Sequence, residues 1–369
     1  CGLFCGRRPK WLREFFAEFF GTYFIIAFGD GAIANYLLNK DNKLGVDHFA
    51  VCLAFGVGVM VGVAIASKIS GAHLNPAVTV ALASCNKFPV RKIPLYLLAQ
   101  YLGAFAGAFS IFLAYYEAID AYDSGHRIPY RTNTTGAVSM ATGGIFSTYP
   151  AAHVSLTGSL VDQIVATSML LFAVMAITDP GGLNTPKPLE PPVLALLITG
   201  ICIAFGLNCG AVLNPARDLG PRFFQLLAGY GYQAFKPVQC LYWLTAGVIG
   251  PHIGGILGAW TYMLTISGER YVYDDDDDDD GDDDIGSDRS DSRRQQRGYK
   301  LRTMDTLAIG GGGGGVGGGG LDVKNNGQSS SSSDRIVDDG GVNQPLMSIV
   351  PNLGTITTNN KCIVNLETA

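Results

Sequence analysis

The tripeptide Asn-Pro-Ala occurs twice, at Asn75-Pro76-Ala77 and at Asn214-Pro215-Ala216. Asn is a strong helix N-cap. Pro suits the first helical position, because its φ is preset and it has no amide to leave unbonded. Each motif therefore opens a helix whose N-terminal end carries about half a positive charge. The chemistry on offer is that of a polarised donor, able to bond a hydroxyl or water and to repel a cation. Arg217 follows the second motif directly and adds a permanent charge and five further donors. A plain structural pairing with a carboxylate is the bland alternative for this Arg. No nucleophile–base pair, metal-ligand cluster or phosphate-cradling loop is visible, so an enzyme has nothing behind it and no cofactor is expected.

The elements that position these residues are membrane-spanning. The chain has 369 residues, 48% hydrophobic and 15% charged, against about a quarter charged in soluble domains. A spanning helix needs about 20 mostly apolar residues. Six segments qualify, at roughly 14–37, 48–67, 93–116, 159–178, 192–208 and 240–266. The first is too long, and lacks the small-residue site, for a cleavable leader. Two shorter apolar stretches, 74–86 and 213–228, each start at Leu-Asn-Pro-Ala and cannot cross alone. Backbone polar groups cannot stay unpaired in lipid, so both must be buried in protein or line a cavity. One folding in from each side, ends meeting near the middle, satisfies this.

The repeat supports that arrangement. Residues 71–79 read GAHLNPAVT and residues 210–218 read GAVLNPARD. Glu18 lies 57 residues before the first Asn, and Asp162 lies 52 before the second. Each half reads as span, span, half-helix, span. Three spans per half force the second copy to enter from the opposite face, giving an inverted repeat with a site near the midplane. The segments Ser70–Leu74 and Asn208–Leu213 cannot be helical throughout, and their carbonyls are expected to line the pore. Glu18 and Asp162 are isolated acids inside apolar spans. Coupling to protons or sodium is one reading. The favoured reading makes both of them acceptors that pin the amides of the two non-helical segments, since no basic partner accompanies them. Glycines at Gly103, Gly107, Gly247, Gly250, Gly254 and Gly258 read as close helix packing.

Orientation follows from Lys and Arg. Arg7, Arg8 and Lys10 in the arm (1–10), with Arg13 just after it, and Lys68, Lys87, Arg91 and Lys92 around the first half-helix, place both on the cytoplasmic side. The 117–158 loop is then outside, where Asn133-Thr134-Thr135 is an N-glycosylation acceptor. The channel domain runs over 11–267. The tail, 268–369, holds Asp, Gly and Ser runs and reads as disordered and cytoplasmic. With 19 Asp and Glu against 10 Lys and Arg, the tail makes the chain's net charge of −5 negative, so that figure says nothing of the core. No basic stripe with aromatics supports nucleic-acid binding. The eight cysteines lack metal or redox spacing and read as small hydrophobes. Two positive half-helix ends meeting mid-pore would block cations and break a proton-conducting water file.

The motifs SGAHLNPAVT (70–79) and NPARDLGPR (214–222) resemble those of the major intrinsic proteins, the aquaporins and aquaglyceroporins. The resemblance covers about residues 11–266. It implies an all-α membrane fold, six transmembrane helices plus two re-entrant half-helices in an inverted repeat, normally a homotetramer with one pore per subunit. Asp218 after the second motif, Arg222 four residues on and Pro251 in the sixth span match the aquaglyceroporin subclass. His252 departs from the aliphatic residue usual after that Pro. By spacing from the family's motifs the outer selectivity filter is Phe55, Cys202, Ala211 and Arg217. Water-only members place His at the Cys202 position. Here it is small, as is Ala211, and a wall of Phe55 with Arg217 as donor suits a polyol.

The function expected is passive conduction of glycerol and other small uncharged solutes, urea among them, together with water, excluding protons and ions. The partners are those solutes and the lipid bilayer, and the location is the plasma membrane. A water-selective aquaporin and a secondary active transporter are the alternatives, with a membrane scaffold working through its tail as a third.

Overall fold

The computed structural model describes residues 8–39, 43–130, 140–181, 183–237 and 240–267. Asn133 and the tail from 268 to 369 lie outside the described residues, as do residues 1–7. Among the described residues all regular structure is helical. The long helices are α1 (Lys10–Leu38), α2 (His48–Ala66), α4 (Ile93–Asp123), α5 (Leu156–Thr178) and α6 (Glu190–Cys209). All five are long and apolar enough to cross a bilayer. The half-helices are α3 (Pro76–Ser84) and α7 (Pro215–Leu227), each beginning at the proline of its motif. At 1.5 Å per residue they are about 14 and 20 Å long, roughly half of a bilayer core.

The sixth span is assembled from pieces: α8 (Tyr242–Leu244), a π turn at Thr245–Ile249, α9 (Gly250–Tyr262) and a second π turn at Met263–Ser267. Pro251 has no amide to give the carbonyl four residues back. The turn before it widens, as helices do around a proline. The helix boundaries differ most from the apolar runs at two places. Helix α1 starts at Lys10 and α4 continues to Asp123, because polar residues outside the apolar stretch still complete the helix.

The inverted repeat is visible in the packing. Helix α1 lies against α2 and α4, and α5 lies against α6 and α9 in the same way. The halves meet through α2 and α6. Each half-helix leans on the other half's last span, α3 on α9 and α7 on α4. Glycine pairs four residues apart make the close contacts of both halves. A β-carbon at Gly103 would sit 2.2 Å from the Phe19 carbonyl oxygen, and one at Gly258 2.1 Å from that of Ser168. The two largest apolar clusters among the described residues each draw on both halves. Ile26, Leu74 and Ala104 join Ala216 in one, and Val78 and Ala81 join Leu171 and Leu213 in the other. Large apolar side chains such as Leu98, Leu113, Leu207 and Leu227 point outward, as a lipid-facing surface requires.

Candidate functional site: the pore and its constriction

Between the half-helix tips lies a cavity of about 290 Å³. Its wall includes Asn75, Asn214, Phe55, Cys202, Ala211 and Arg217, together with both pre-motif segments. Those segments share an unusual backbone. Gly71, Ala72 and Leu74 have φ of 87°, 55° and 53°, and Gly210, Ala211 and Leu213 have 70°, 50° and 55°. Left-handed Ala and Leu are uncommon and are kept only where the surroundings over-determine them. The matched pattern is the repeat written in dihedral angles.

The Asn residues do two jobs each. Asn75 Oδ1 accepts from the Ala77 amide at 2.8 Å, and Asn214 Oδ1 accepts from Ala216 at 2.9 Å. Each side-chain amide also reaches across the repeat. Asn75 Nδ2 donates to the Leu213 carbonyl at 3.1 Å, and Asn214 Nδ2 to the Leu74 carbonyl at 2.8 Å. These reciprocal bonds join the two tips. An amide nitrogen has two hydrogens, so each Asn keeps a second donor at the cavity wall. The carbonyls of Leu74 and Leu213 are taken by this clamp.

What holds the strained segments differs between the halves. In the first, Glu18 accepts four bonds. Oε1 takes Ser70 Oγ (2.6 Å) and the His73 amide (2.9 Å). Oε2 takes the Leu74 amide (2.7 Å) and Gln100 Nε2 (2.8 Å). In the second, the expectation for Asp162 needs correcting. The Leu213 amide donates to Gln163 Oε1 at 3.0 Å, and among the described residues no backbone amide of the loop reaches Asp162. Asp162 accepts instead from Gln163 Nε2 (2.7 Å) and from Asn208 Nδ2 (2.8 Å). Adjacent residues point about 100° apart on a helix, and it is 163, buried, that faces the loop. A neutral Gln gave no sequence signal beside a conspicuous acid.

At the constriction, the Arg217 guanidinium lies over the Phe55 ring, 4.8 Å from its centroid. Its Nη1 donates to the Phe146 carbonyl at 2.8 Å and stands 3.5 Å from Asp30 Oδ1. Cys202 and Ala211 line the same cavity and share a buried apolar cluster with Cys52. Phe146 and Asp30 were not singled out in the sequence. A backbone carbonyl leaves no residue-type signal, whereas Asp30 was an acid in an apolar span, as visible as Glu18. His48, also on the cavity wall, has Nε2 3.4 Å from Cys52 Sγ.

Asp218, Arg222 and Pro251 do not line the cavity. Asp218 and Arg222 form a fully buried ion pair at 2.8 Å. Asp218 Oδ1 also accepts from the amide and hydroxyl of Thr148 at 2.8 and 2.6 Å, while Arg222 donates to the Thr148 carbonyl and lies over Tyr149. The pair thus fastens α7 to the 146–149 stretch, whose Phe146 carbonyl holds Arg217. Burial raises the pKa of the Tyr149 hydroxyl above its ordinary value, and that hydroxyl donates to Gln225 Oε1 at 2.6 Å. Pro251 is buried in α9, and His252 Nδ1 donates to the Val248 carbonyl at 2.8 Å.

Six spans, two half-helices joined tip to tip and a cavity at their junction define a membrane channel. The family match agrees. Residues 6–262 match the family described as MIP, major intrinsic protein, and the chain belongs to it. It is similar to "Aquaporin-9" of Homo sapiens, 38% identical over 69% of this chain and 82% of that one. It is likewise similar to "Aquaglyceroporin-2" of Rhizophagus irregularis, 39% identical over 68% and 76%. The match to "Aquaporin-10" of Milnesium tardigradum, 38% identical, spans 69% of this chain and 63% of that relative's length. The X-ray structure of the aquaglyceroporin from Plasmodium falciparum superimposes with a TM-score of 0.61 at 32% identity, over 69% of this chain and 97% of that one. The chain is of the aquaglyceroporin type.

Proposed function

We infer that this chain is a passive transmembrane channel for glycerol and other small uncharged solutes, urea among them, that also conducts water and excludes protons and ions. The observation that carries the reading is the wall at the constriction. The Phe55 face meets the carbons of a polyol, and Arg217 and the free amide hydrogens of Asn75 and Asn214 meet its hydroxyls. The small Cys202 and Ala211 leave room for a carbon backbone. Two half-helix N-termini and a guanidinium raise a positive barrier where cations would pass.

Phe55, Cys202, Ala211 and Arg217 act as the filter. Asn75-Pro76-Ala77 and Asn214-Pro215-Ala216 act as the central barrier. Asp218, Arg222 and Pro251 mark the subclass by bracing α7 and shaping the sixth span. The channel domain spans 11–267, both termini face the cytoplasm of a plasma-membrane protein, and Asn133 is the glycosylation site. The assembly is a homotetramer with one pore per subunit, a reading supported by the family and the exposed apolar helix faces.

Stopped-flow swelling of proteoliposomes tests this. Glycerol and water flux should both exceed those of empty liposomes and be indifferent to sodium or proton gradients. Glycerol flux that follows either gradient, or saturates with slow turnover, would sink the channel reading. Ala211→Tyr and Cys202→His should each cut glycerol flux more than water flux. Equal loss of both would show that the filter lies elsewhere.

A further inference from the structure

Asp30 sits on α1 between Gly29 and Gly31, inside the first span, and is fully buried. Among the described residues neither carboxylate oxygen has a hydrogen-bond partner. Removing an ionised carboxylate from water costs several kcal/mol unless something compensates it. Among the described residues the compensating group is Arg217, whose Nη1 stands 3.5 Å from Oδ1. That distance is within ion-pair range and long for a hydrogen bond, so the contact acts through charge. The other filter wall depends on the same stretch of α1. A β-carbon at Gly29 would lie 2.1 Å from Cε1 of the Phe55 ring. Positions 29 and 30 thus set the two faces between which the guanidinium is held.

The charge at the constriction follows from this pair. The two half-helix tips already supply partial positive charge facing the cavity. Among the described residues no Asp or Glu lines the cavity wall. An uncompensated Arg217 would add a full positive charge in a low-dielectric passage, where a small anion would be attracted and a neutral solute would compete poorly with it. The Phe146 carbonyl on Nη1 and the Phe55 face on the guanidinium orient the group without cancelling its charge.

We propose that Asp30 is the counter-ion of the constriction: it positions Arg217 and cancels its charge, so that the pore rejects small anions as well as cations. Asp30 is a positioning residue, since it acts on solutes through Arg217. The proposal rests on Arg217 being a filter residue, and the experiment separates the two ideas.

Purified full-length protein is reconstituted in liposomes, and nitrate, glycerol and water fluxes are measured for Asp30→Asn, Arg217→Gln and the double variant. Asp30→Asn keeps the shape and removes the charge. It should raise nitrate flux on the order of tenfold, a change of about 1.4 kcal/mol in barrier, and lower the glycerol-to-water ratio. In the double variant, with no guanidinium left to compensate, nitrate flux should return to the wild-type level. That non-additivity marks direct coupling, and a general loosening of the helix would not produce it. Nitrate flux unchanged in Asp30→Asn, or raised equally in the double variant, overturns the proposal. If Arg217→Gln leaves the glycerol-to-water ratio untouched, the filter reading itself fails. Should Asp30→Asn give no water-conducting protein, Asp30→Cys takes its place. If both fail while Arg217→Gln folds, Asp30 serves assembly and the proposal is overturned.

Discussion

Glu18 shows how much one side chain can decide. It accepts from Ser70 Oγ, two loop amides and Gln100. Glu18→Ala leaves the His73 and Leu74 amides unmatched in the interior, at about 1–3 kcal/mol each, while Ser70 Oγ keeps the Ala66 carbonyl and Gln100 Nε2 keeps Thr79 Oγ1. We expect no folded protein from Glu18→Ala, read as loss of the monodisperse peak in detergent gel filtration. Glu18→Gln puts an NH₂ against at least one donor, and its thermal unfolding temperature should fall clearly below wild type. In the second half the equivalent load is on Gln163, so Gln163→Leu should destabilise more than Asp162→Asn in the same melt. The reverse order would restore Asp162 to the role its sequence position suggests. Asp218→Asn breaks the buried pair with Arg222 and leaves a charged guanidinium inside the protein. A loss of about 3–5 kcal/mol is expected, with a fall in glycerol flux because the 146–149 stretch that holds Arg217 loses its anchor.

At the scale of elements, the half-helices are short, and neither has an adequate hydrophobic surface alone. Each is kept in place by the other half's last span and by the reciprocal Asn clamp. Close approach of α1 to α4 and of α5 to α9 is a precondition, and it depends on side chains that are not there. Gly103→Val and Gly258→Val each drive a branched side chain into a backbone carbonyl on the facing helix. Overpacking costs about 1–3 kcal/mol where neighbours can move, and a backbone carbonyl moves little. Both should lower the yield of folded protein. Of the two, Gly103→Val acts on α1, which carries Glu18 and Asp30, and should also change the glycerol-to-water ratio of whatever protein inserts.

For the whole molecule, the pore wall and the bonds described as bracing it fall within residues 8–267. Removing residues 268–369 should therefore leave the glycerol and water permeability of the purified protein at the full-length value. A drop in permeability per inserted molecule would give the tail a part in conduction. The pairing of α1, α2 and α4 is repeated by α5, α6 and α9, so the fold is two similar units locked through their tips. Damage to one tip should propagate to the other. Asn75→Ala removes a bond to Leu213 as well as the cap on Ala77.

Much of this was legible in the chain. Six apolar runs, two Asn-Pro-Ala motifs and their spacing determined a helical membrane protein with an inverted repeat, because hydrocarbon permits few backbone arrangements and Asn-Pro starts helices locally. Glu18 was found because a charge in an apolar span is conspicuous. The tertiary structure alone decided which side chains meet. Gln163 rather than Asp162 faces the second loop because of where the helix turns. The Leu74 and Leu213 carbonyls serve the opposite Asn, since the two tips come within bonding distance only when folded. Asp30 and Arg217 are 187 residues apart in the chain and 3.5 Å apart in space. The sequence could mark each as a charge in an apolar setting, but charges pair by distance, and distance belongs to the folded molecule.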